Sequence, residues 1–267
     1  FPIFNIYDVL LYFFTKTKNS KYLDPIELIL KQLCSQGIYD HVEGGLSRYT
    51  VDKDWLIPHF EKMLYDNAQF VLLMSKFLKI KENDYLKKKI NQTIEFVNNS
   101  FLNPENNLLG SAYDADSEGE EGKYYVFNYE EIKNIEDIEQ YFDVKPNGNW
   151  ENKIILVEKK TPTKEILDKL LEIRLKKNKP FFDDKTQLDL NCLWVSGLIS
   201  SHEILPQKGY LKLAENFFAN IEEKYLKKNI QHSYSKELVF LEDYAFLIQA
   251  LNDLSDKTMI FRYKELA

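Results

Sequence analysis

Two polar loops contain most of the side chains that could carry out chemistry. The first runs from 38 to 58 and includes His41 and Arg48, and His59 follows directly after it. A histidine accepts a proton near neutral pH, and the planar fork of an arginine suits a carboxylate or a pair of ring hydroxyls. The alternatives are a structural ion pair for Arg48 and structural hydrogen bonds for either histidine. Because long irregular loops often bind ligands, this loop is a candidate site.

The second loop, residues 102–128, is rich in acidic side chains and ends in a stretch where apolar and polar residues alternate. Asp114, Asp116 and Glu118 are spaced like the first ligands of a calcium loop, but the twelfth position, which needs a bidentate Glu, holds Tyr125. An EF-hand is therefore excluded. The two aspartates either line a cavity, where they could act as acid, base or sugar-binding groups, or belong to a solvated acidic turn. Glu120 and Glu121, the last two glutamates of the loop, are expected to face solvent.

A helix predicted from 59 to 80 would position several of these groups. At 100° per residue, His59, Lys62 and Asp66 fall within about 60° of one another, and Phe70 continues the same stripe. A stripe that is polar in its first two turns and apolar afterwards is typical of an inward-facing helix that opens on a cavity. The alternative is the capped end of a surface helix.

The rest of the chain reads as helix after helix. Nine Gly and eight Pro in 267 residues are too few for a many-stranded sandwich or barrel. The stretch 123–127 alternates like a short strand, and 129–179 holds short helices. Apolar spacing predicts further helices at 3–17, 23–36, 85–101, 187–205, 208–226, 240–254 and 257–266.

An internal repeat suggests how these helices are arranged. The pattern Leu-x-Asp-x-Ala occurs at Leu64–Ala68 and again at Leu241–Ala245, each time at the start of a predicted helix. Such a repeat favours a ring of helical hairpins, of which this chain holds about four. Because the chain opens on Phe1 and stops inside a helical pattern, we expect a single truncated domain over 1–267.

Charge and composition exclude several classes of protein. A net charge of −7 with three arginines argues against a nucleic-acid partner, and no apolar run is long enough for a membrane span. Cys34 and Cys192 lie too far apart in sequence for a metal-ligand motif or a disulfide framework, which favours the reducing cytoplasm. The sequence has no GxGxxG, P-loop, HExxH or GxSxG motif. We therefore expect no metal and no cofactor.

Two long runs carry a family resemblance. They are GIYDHVEGGLSRYTVDKDWLIPHFEKMLYDNA (Gly37–Ala68) and SAYDADSEGEEGKYYVF (Ser111–Phe127), and both resemble the spermatogenesis-associated protein 20 family, whose bacterial members are called YyaL-type proteins. FLEDYAFLI at 240–248 and the triplet His232-Ser233-Tyr234 also match. The likeness is continuous to about residue 155 and patchier afterwards.

The resemblance implies an all-α fold, the (α/α)6 toroid of six-hairpin glycosidases and N-acylglucosamine 2-epimerases, here incomplete and with a small β-hairpin in a long loop. It also implies a thioredoxin-like partner domain in full-length relatives. Two departures put intact catalysis in doubt: Leu190-Asn191-Cys192 stands where the family has Trp-Asn-Gly, and Ser235 stands where it has Arg.

The candidate site combines residues carried over by position with three loop aromatics that could stack on a sugar ring. The carried-over residues are His41, Arg48, His59, Glu61, Lys62, Tyr65, Asp66, Asn67, Asp114, Asp116, Glu118, Glu242, Asp243 and Tyr244, and the aromatics are Tyr39, Tyr49 and Trp55.

Three functions with a sugar-like ligand remain open at this stage. In a sugar epimerase or isomerase, His59 or His41 would abstract a proton beside a carbonyl, oriented by Asp66, while Arg48 or Lys62 stabilises the oxyanion. A glycosidase would use two carboxylates drawn from Asp66, Asp114, Asp116, Glu242 and Asp243. A non-catalytic binding or scaffold module would hold a ligand and leave any chemistry to the thioredoxin-like domain.

Overall fold

The computed structural model describes residues 1–227, 230–233 and 238–267, so Tyr234 and Ser235 lie outside the described residues. The α-helices are α1 (Phe4–Thr17), α2 (Asp24–Ser35), α3 (Leu64–Leu78), α4 (Asp84–Ser100), α5 (Tyr129–Ile132), α6 (Ile138–Tyr141), α7 (Lys164–Arg174), α8 (Leu188–His202), α9 (Tyr210–Ile221), α10 (Leu241–Thr258) and α11 (Phe261–Leu266). The strands are two residues long: β1 (Lys62–Met63), β2 (Leu102–Asn103), β3 (Leu108–Leu109), β4 (Ala112–Tyr113), β5 (Asp116–Ser117), β6 (Glu120–Glu121) and β7 (Phe182–Asp183).

The chain divides into two compact units. The first unit comprises residues 1–63 and 113–181, and the second comprises 64–112 and 182–267. Both polar loops contribute mainly to the first unit, whereas the two copies of the Leu-x-Asp-x-Ala repeat both belong to the second. Among the described residues, no helix is both long and apolar enough to cross a bilayer.

The first unit is built around a core that loops and short helices share. Phe127, Phe142 and Ile154 are fully buried there together with Leu170 of α7. Strands β5 and β6 pair antiparallel as a small hairpin in the second polar loop, as the sequence predicts. Just after α2, a Cβ on Gly37 would overlap the carbonyl oxygen of Leu56, so only glycine fits there.

The second unit is organised around α8. This helix packs against α3, α9 and α10, and because it meets neighbours on several sides it is buried on most of its surface. Trp194 of α8 is fully buried, and its indole nitrogen donates to Asn98 of α4 at 3.1 Å. The hydroxyls of Ser75 on α3 and Ser201 on α8 lie 3.0 Å apart, both buried. Side-chain hydrogen bonds thus join α8 to both α3 and α4.

Most predicted helices are confirmed within a few residues, but the one from 59 is wrong at its start. That helix begins at Leu64, and the residues before it are extended. The amide of His59 donates to the carbonyl of Tyr49 at 2.9 Å, and Lys62 lies in a strand. Because this backbone pairs with the first polar loop, His59 and Lys62 do not share a helical face with Asp66.

The strand predicted at 123–127 is also wrong. Gly122, with φ +71°, turns the chain, and the amides of Tyr125 and Val126 both donate to its carbonyl. Turn bonding replaces the strand, and only Phe127 bridges to Ile154. The alternation in this stretch reflects which side chains enter the core of the first unit rather than a strand.

Candidate functional site

The first polar loop doubles back on itself and brings its two ends together. The amide of Arg48 donates to the carbonyl of Glu61, and that of His59 to Tyr49, each at 2.9 Å. At the tip, the Asp52 carboxylate accepts three backbone amides, which lower its pKa against the opposing effect of burial. The two ends of the loop thus form a narrow backbone ladder, in which Arg48 and Tyr49 on one side pair with His59 and Glu61 on the other.

A histidine–carboxylate dyad lies on this ladder. Nδ1 of His59 is 2.8 Å from the Glu121 carboxylate, which comes from the small hairpin of the second polar loop. A carboxylate at Nδ1 fixes the proton on that nitrogen and leaves Nε2 as the proton acceptor. The ring stacks on Tyr49, with centroids 4.9 Å apart, and the side chain is about one third exposed. His59 can therefore meet a ligand from solvent.

An arginine–glutamate pair stands beside the dyad on the same ladder. The guanidinium of Arg48 donates to Glu61 at 2.9 Å, and both side chains remain partly exposed. Such a pair could exchange one partner for a ligand oxygen.

Trp55, the third aromatic predicted to contact a sugar, lies at the turn of the ladder. Its backbone adopts the left-handed conformation, with φ 60°.

A buried ionic cluster supports the ladder from beneath. The Asp40 carboxylate accepts from Lys62 at 2.7 Å and from Arg174 of α7 at 2.7 Å, and the same arginine reaches Glu43 at 3.2 Å. Lys62 also donates to the carbonyl of Gly44 at 2.9 Å. Lys62 and Arg174 are almost completely buried. Two cations and two anions therefore balance inside the first unit.

Burial and pairing act in opposite directions on these groups. Burial alone would raise the pKa of Asp40, but the charges and hydrogen bonds of Arg174 and Lys62 outweigh it and hold that pKa well below its usual range. Burial lowers the pKa of Lys62, and the charges of Asp40 and Glu43 only partly oppose this. The cluster depends on Asp40 remaining ionised.

His41, the other predicted base, is engaged on both ring nitrogens. Nδ1 lies 3.2 Å from the Glu158 carboxylate and Nε2 lies 3.1 Å from the carbonyl of Gln36. The ring is buried and meets the buried Tyr39 edge-on. With an acceptor at each nitrogen, the ring is best satisfied as a doubly protonated, structural imidazolium.

The space around the buried cluster is too small for a sugar. A cavity of about 20 Å³ lies among Tyr39, Asp40, His41 and Arg174, enough for one water molecule. The buried groups of the first unit therefore shape and stabilise the ladder, and the groups that can reach a ligand are those on its exposed edge.

Asp114, Asp116 and Glu118 of the second loop are exposed. Asp114 accepts the amide of Ala115 at 2.6 Å, in a turn. Asp116 is exposed on β5. Hydrogen bonds from Lys123 and Asn178 lower the pKa of Glu118.

The remaining predicted residues belong to the second unit. Asp66 and Asn67 are buried in the first turn of α3. In the first turn of α10, Asp243 is fully buried, while Glu242 and Tyr244 are exposed. Tyr65 is half-buried beside Asp66. The repeat thus places one buried aspartate at the same position of two helices.

Sequence reasoning missed three groups that the structure makes prominent. Glu121 was assigned to solvent, yet it holds His59. Arg174 is far in sequence from Asp40 and binds it. In the second unit, His232 lies 2.9 Å from Asp243, with Asp189 of α8 close by. The rarity of arginine was the only available signal for Arg174, and the Asp-rich loop gave none for Glu121.

Curated proteins give the sequence context. An uncharacterized protein of Caenorhabditis elegans is 28% identical over 90% of this chain and 41% of its own length. Spermatogenesis-associated protein 20 of Homo sapiens is 26% identical over 89% of this chain and 38% of its own length. This chain is a homologue of spermatogenesis-associated protein 20. It spans about two fifths of these relatives, and it matches no protein-family model.

Solved structures agree on the fold. A family 76 glycoside hydrolase from a bovine Bacteroides thetaiotaomicron strain superposes with a TM-score of 0.60 at 11% identity, covering 97% of this chain and 43% of that one. An unsaturated glucuronyl hydrolase specific for heparin gives 0.53 at 12% identity, covering 94% and 56%. The predicted fold class, all-α of the six-hairpin glycosidase type, is confirmed by these likenesses.

Proposed function

We propose that this homologue of spermatogenesis-associated protein 20 is a carbohydrate-active domain of isomerase or epimerase type. The observation that carries the proposal is the dyad of His59 and Glu121, exposed on a ladder that also presents Tyr49 and Arg48. A fold of the glycosidase type supports a sugar ligand as the class of substrate.

The chemistry follows from the placement of these groups. Nε2 of His59 takes the proton from the carbon beside a sugar carbonyl, and the electron pair of that C–H bond forms the double bond of an enediolate. The negative charge develops on the former carbonyl oxygen, where the Arg48 guanidinium stabilises it. Glu121 stabilises the imidazolium that forms. His59 returns the proton from Nε2 to the neighbouring carbon, while the hydroxyl proton passes to the former carbonyl oxygen, which gives the isomer; if the enediolate first turns its other face to Nε2, return of the proton to the original carbon gives the epimer.

Exchange of the C2 proton of free aldoses in heavy water tests this mechanism. The protein should wash deuterium into C2 of at least one sugar, measured by NMR. His59→Gln should lower that rate by about 10²–10⁴-fold, the usual contribution of a general base. His202→Gln, which changes a histidine at the end of α8, is the matched control and should leave the rate unchanged. Absence of exchange with every aldose, or full activity in His59→Gln, would refute the proposal.

Glycoside hydrolysis is the second candidate, because both fold neighbours described above are glycoside hydrolases. Release of reducing ends from α-mannan or from heparin-derived unsaturated disaccharides measures it directly. Asp66→Asn and Asp114→Asn remove a buried and an exposed carboxylate in turn. Hydrolysis that one of them abolishes, together with no C2 exchange, would favour this candidate over the epimerase.

A further inference from the structure

A compact set of nitrogen and oxygen donors lies in the second unit. Asp189 belongs to the first turn of α8, Asp243 to the first turn of α10, and His232 to the segment before α10. Nδ1 of His232 lies 2.9 Å from Asp243 Oδ1 and 3.9 Å from Asp189 Oδ1. All three donor atoms lie within 4.8 Å of one another.

The charge of this set is unbalanced. Two carboxylates share one imidazole, and within residues 1–227, 230–233 and 238–267 no Lys or Arg forms an ion pair with Asp189 or Asp243. Oδ1 of Asp189 is buried and accepts no hydrogen bond from the described part of the chain. A buried oxygen without a donor is costly, and a cation between the three side chains would satisfy it.

Neighbouring groups orient the donors toward one another. The Gln187 amide nitrogen lies 2.7 Å from Nε2 of His232 and can only donate, so without a metal Nδ1 carries the ring proton and donates it to Asp243. A metal ion on Nδ1 releases that proton to solvent, and a turn of the Gln187 amide then lets its oxygen accept from Nε2–H. The second oxygen of Asp243 accepts the amide of Phe240 at 2.8 Å, which fixes the carboxylate. Metal-binding carboxylates are held by partners of this kind.

The spacing suits a small divalent ion. Zinc bonds to nitrogen and carboxylate oxygen of about 2.0–2.2 Å separate tetrahedral donors by about 3.4 Å. The distances from His232 Nδ1, 2.9 and 3.9 Å, lie on either side of that value, and since the three donor atoms lie within 4.8 Å of one another, approaches of at most about 1.4 Å would close the set. Cys192, one turn after Asp189 on α8, is fully buried and is not counted among the ligands.

We propose that Asp189, His232 and Asp243 form a binding site for one divalent transition-metal ion of the zinc type. The sequence expectation of no metal rested on the absence of a spaced motif, and these ligands come from separate segments.

Zinc titration of the chelator-treated protein tests the site. Isothermal titration calorimetry should show one Zn²⁺ per chain, and zinc should raise Tm. Asp189→Asn should weaken binding at least about tenfold, because loss of even a supporting partner costs 10–100-fold. Asp189→Asn is the decisive variant, since its Oδ1 holds no hydrogen bond and the fold keeps its other contacts. Asp253→Asn is the matched control, a half-buried aspartate on α10 whose pKa burial also raises, and it should bind as the unaltered protein does.

The main alternative is a hydrogen-bonded pair of His232 and Asp243 beside an Asp189 whose carboxyl pKa burial raises, with no metal ion bound. In that case zinc would leave Tm unchanged, and Asp189→Asn would be as stable as the unaltered protein. The proposal would be overturned if zinc left Tm unchanged while Asp189→Asn was as stable as the unaltered protein, or if Asp189→Asn bound zinc with equal affinity. His232→Gln, checked for folding by circular dichroism, should likewise lose the site.

Discussion

Replacing Asp40 with asparagine removes the anion that two buried cations share. Lys62 and Arg174 each donate to this carboxylate at 2.7 Å, and they are 1% and 2% exposed. In Asp40→Asn, Glu43 alone would face both cations. The substitution keeps the size of the side chain, so the loss of charge is the main change.

The magnitude follows from burial. Removing one partner of a buried ion pair costs about 3–5 kcal/mol, because the other charge stays buried without compensation. A domain is stable by only about 5–15 kcal/mol, so the variant should lose about a fifth or more of its free energy of unfolding. With an m-value of about 2–3 kcal/mol/M, the urea midpoint should fall by roughly 1–2.5 M.

Asp143→Asn provides the matched control. Asp143 belongs to the same unit and pairs with Lys145 at 2.9 Å, but both of these side chains are solvent-accessible. An exposed ion pair is worth about 0–1 kcal/mol, so this midpoint should hardly move. A loss of less than about 1 kcal/mol in Asp40→Asn would refute the conclusion that the cluster stabilises the first unit.

The pH dependence gives a second measure of the same cluster. The folded protein holds the pKa of Asp40 below the unfolded value of about 3.9, so the stabilisation is complete above that pH. It is lost as the pH falls further and the carboxyl protonates. The difference in stability between the unaltered protein and Asp40→Asn should therefore be constant from about pH 5 to 8 and shrink below about pH 4. A constant difference down to pH 2 would contradict this.

Three further predictions concern packing. Ser75→Ala and Ser201→Ala should each cost about 0.5–1.5 kcal/mol, and the double variant less than their sum, in a urea-unfolding cycle. Cys34 and Cys192, both buried, should not react with Ellman's reagent in the folded protein and should both react in guanidinium; native labelling would contradict their burial. Gly37→Ala should cost at least about 1–3 kcal/mol through overlap with the adjacent carbonyl, and an unchanged Tm would show that this turn is not tightly packed.

The amino-acid sequence by itself determined most of the helices, and its resemblance to a known family indicated the fold class. Apolar residues at helical spacing marked α2 and α4 within a few residues, since burial of one face depends on local periodicity. The Leu-x-Asp-x-Ala repeat was assigned to two helices, and the structure places its Asp66 and Asp243 in the first turns of both. Local patterns suffice for these features because their main interactions lie within a few residues.

Only the tertiary structure decided which polar groups meet. Glu121 holds His59 across 62 residues, and Arg174 reaches Asp40 across 134, so no local spacing could pair them. The predicted start of α3 was wrong for the same reason, because the backbone before Leu64 pairs with an earlier part of the first polar loop instead of continuing the helix. Long-range hydrogen bonds and ion pairs depend on the tertiary path of the chain. A single sequence gives the residue types but not which distant residues come into contact.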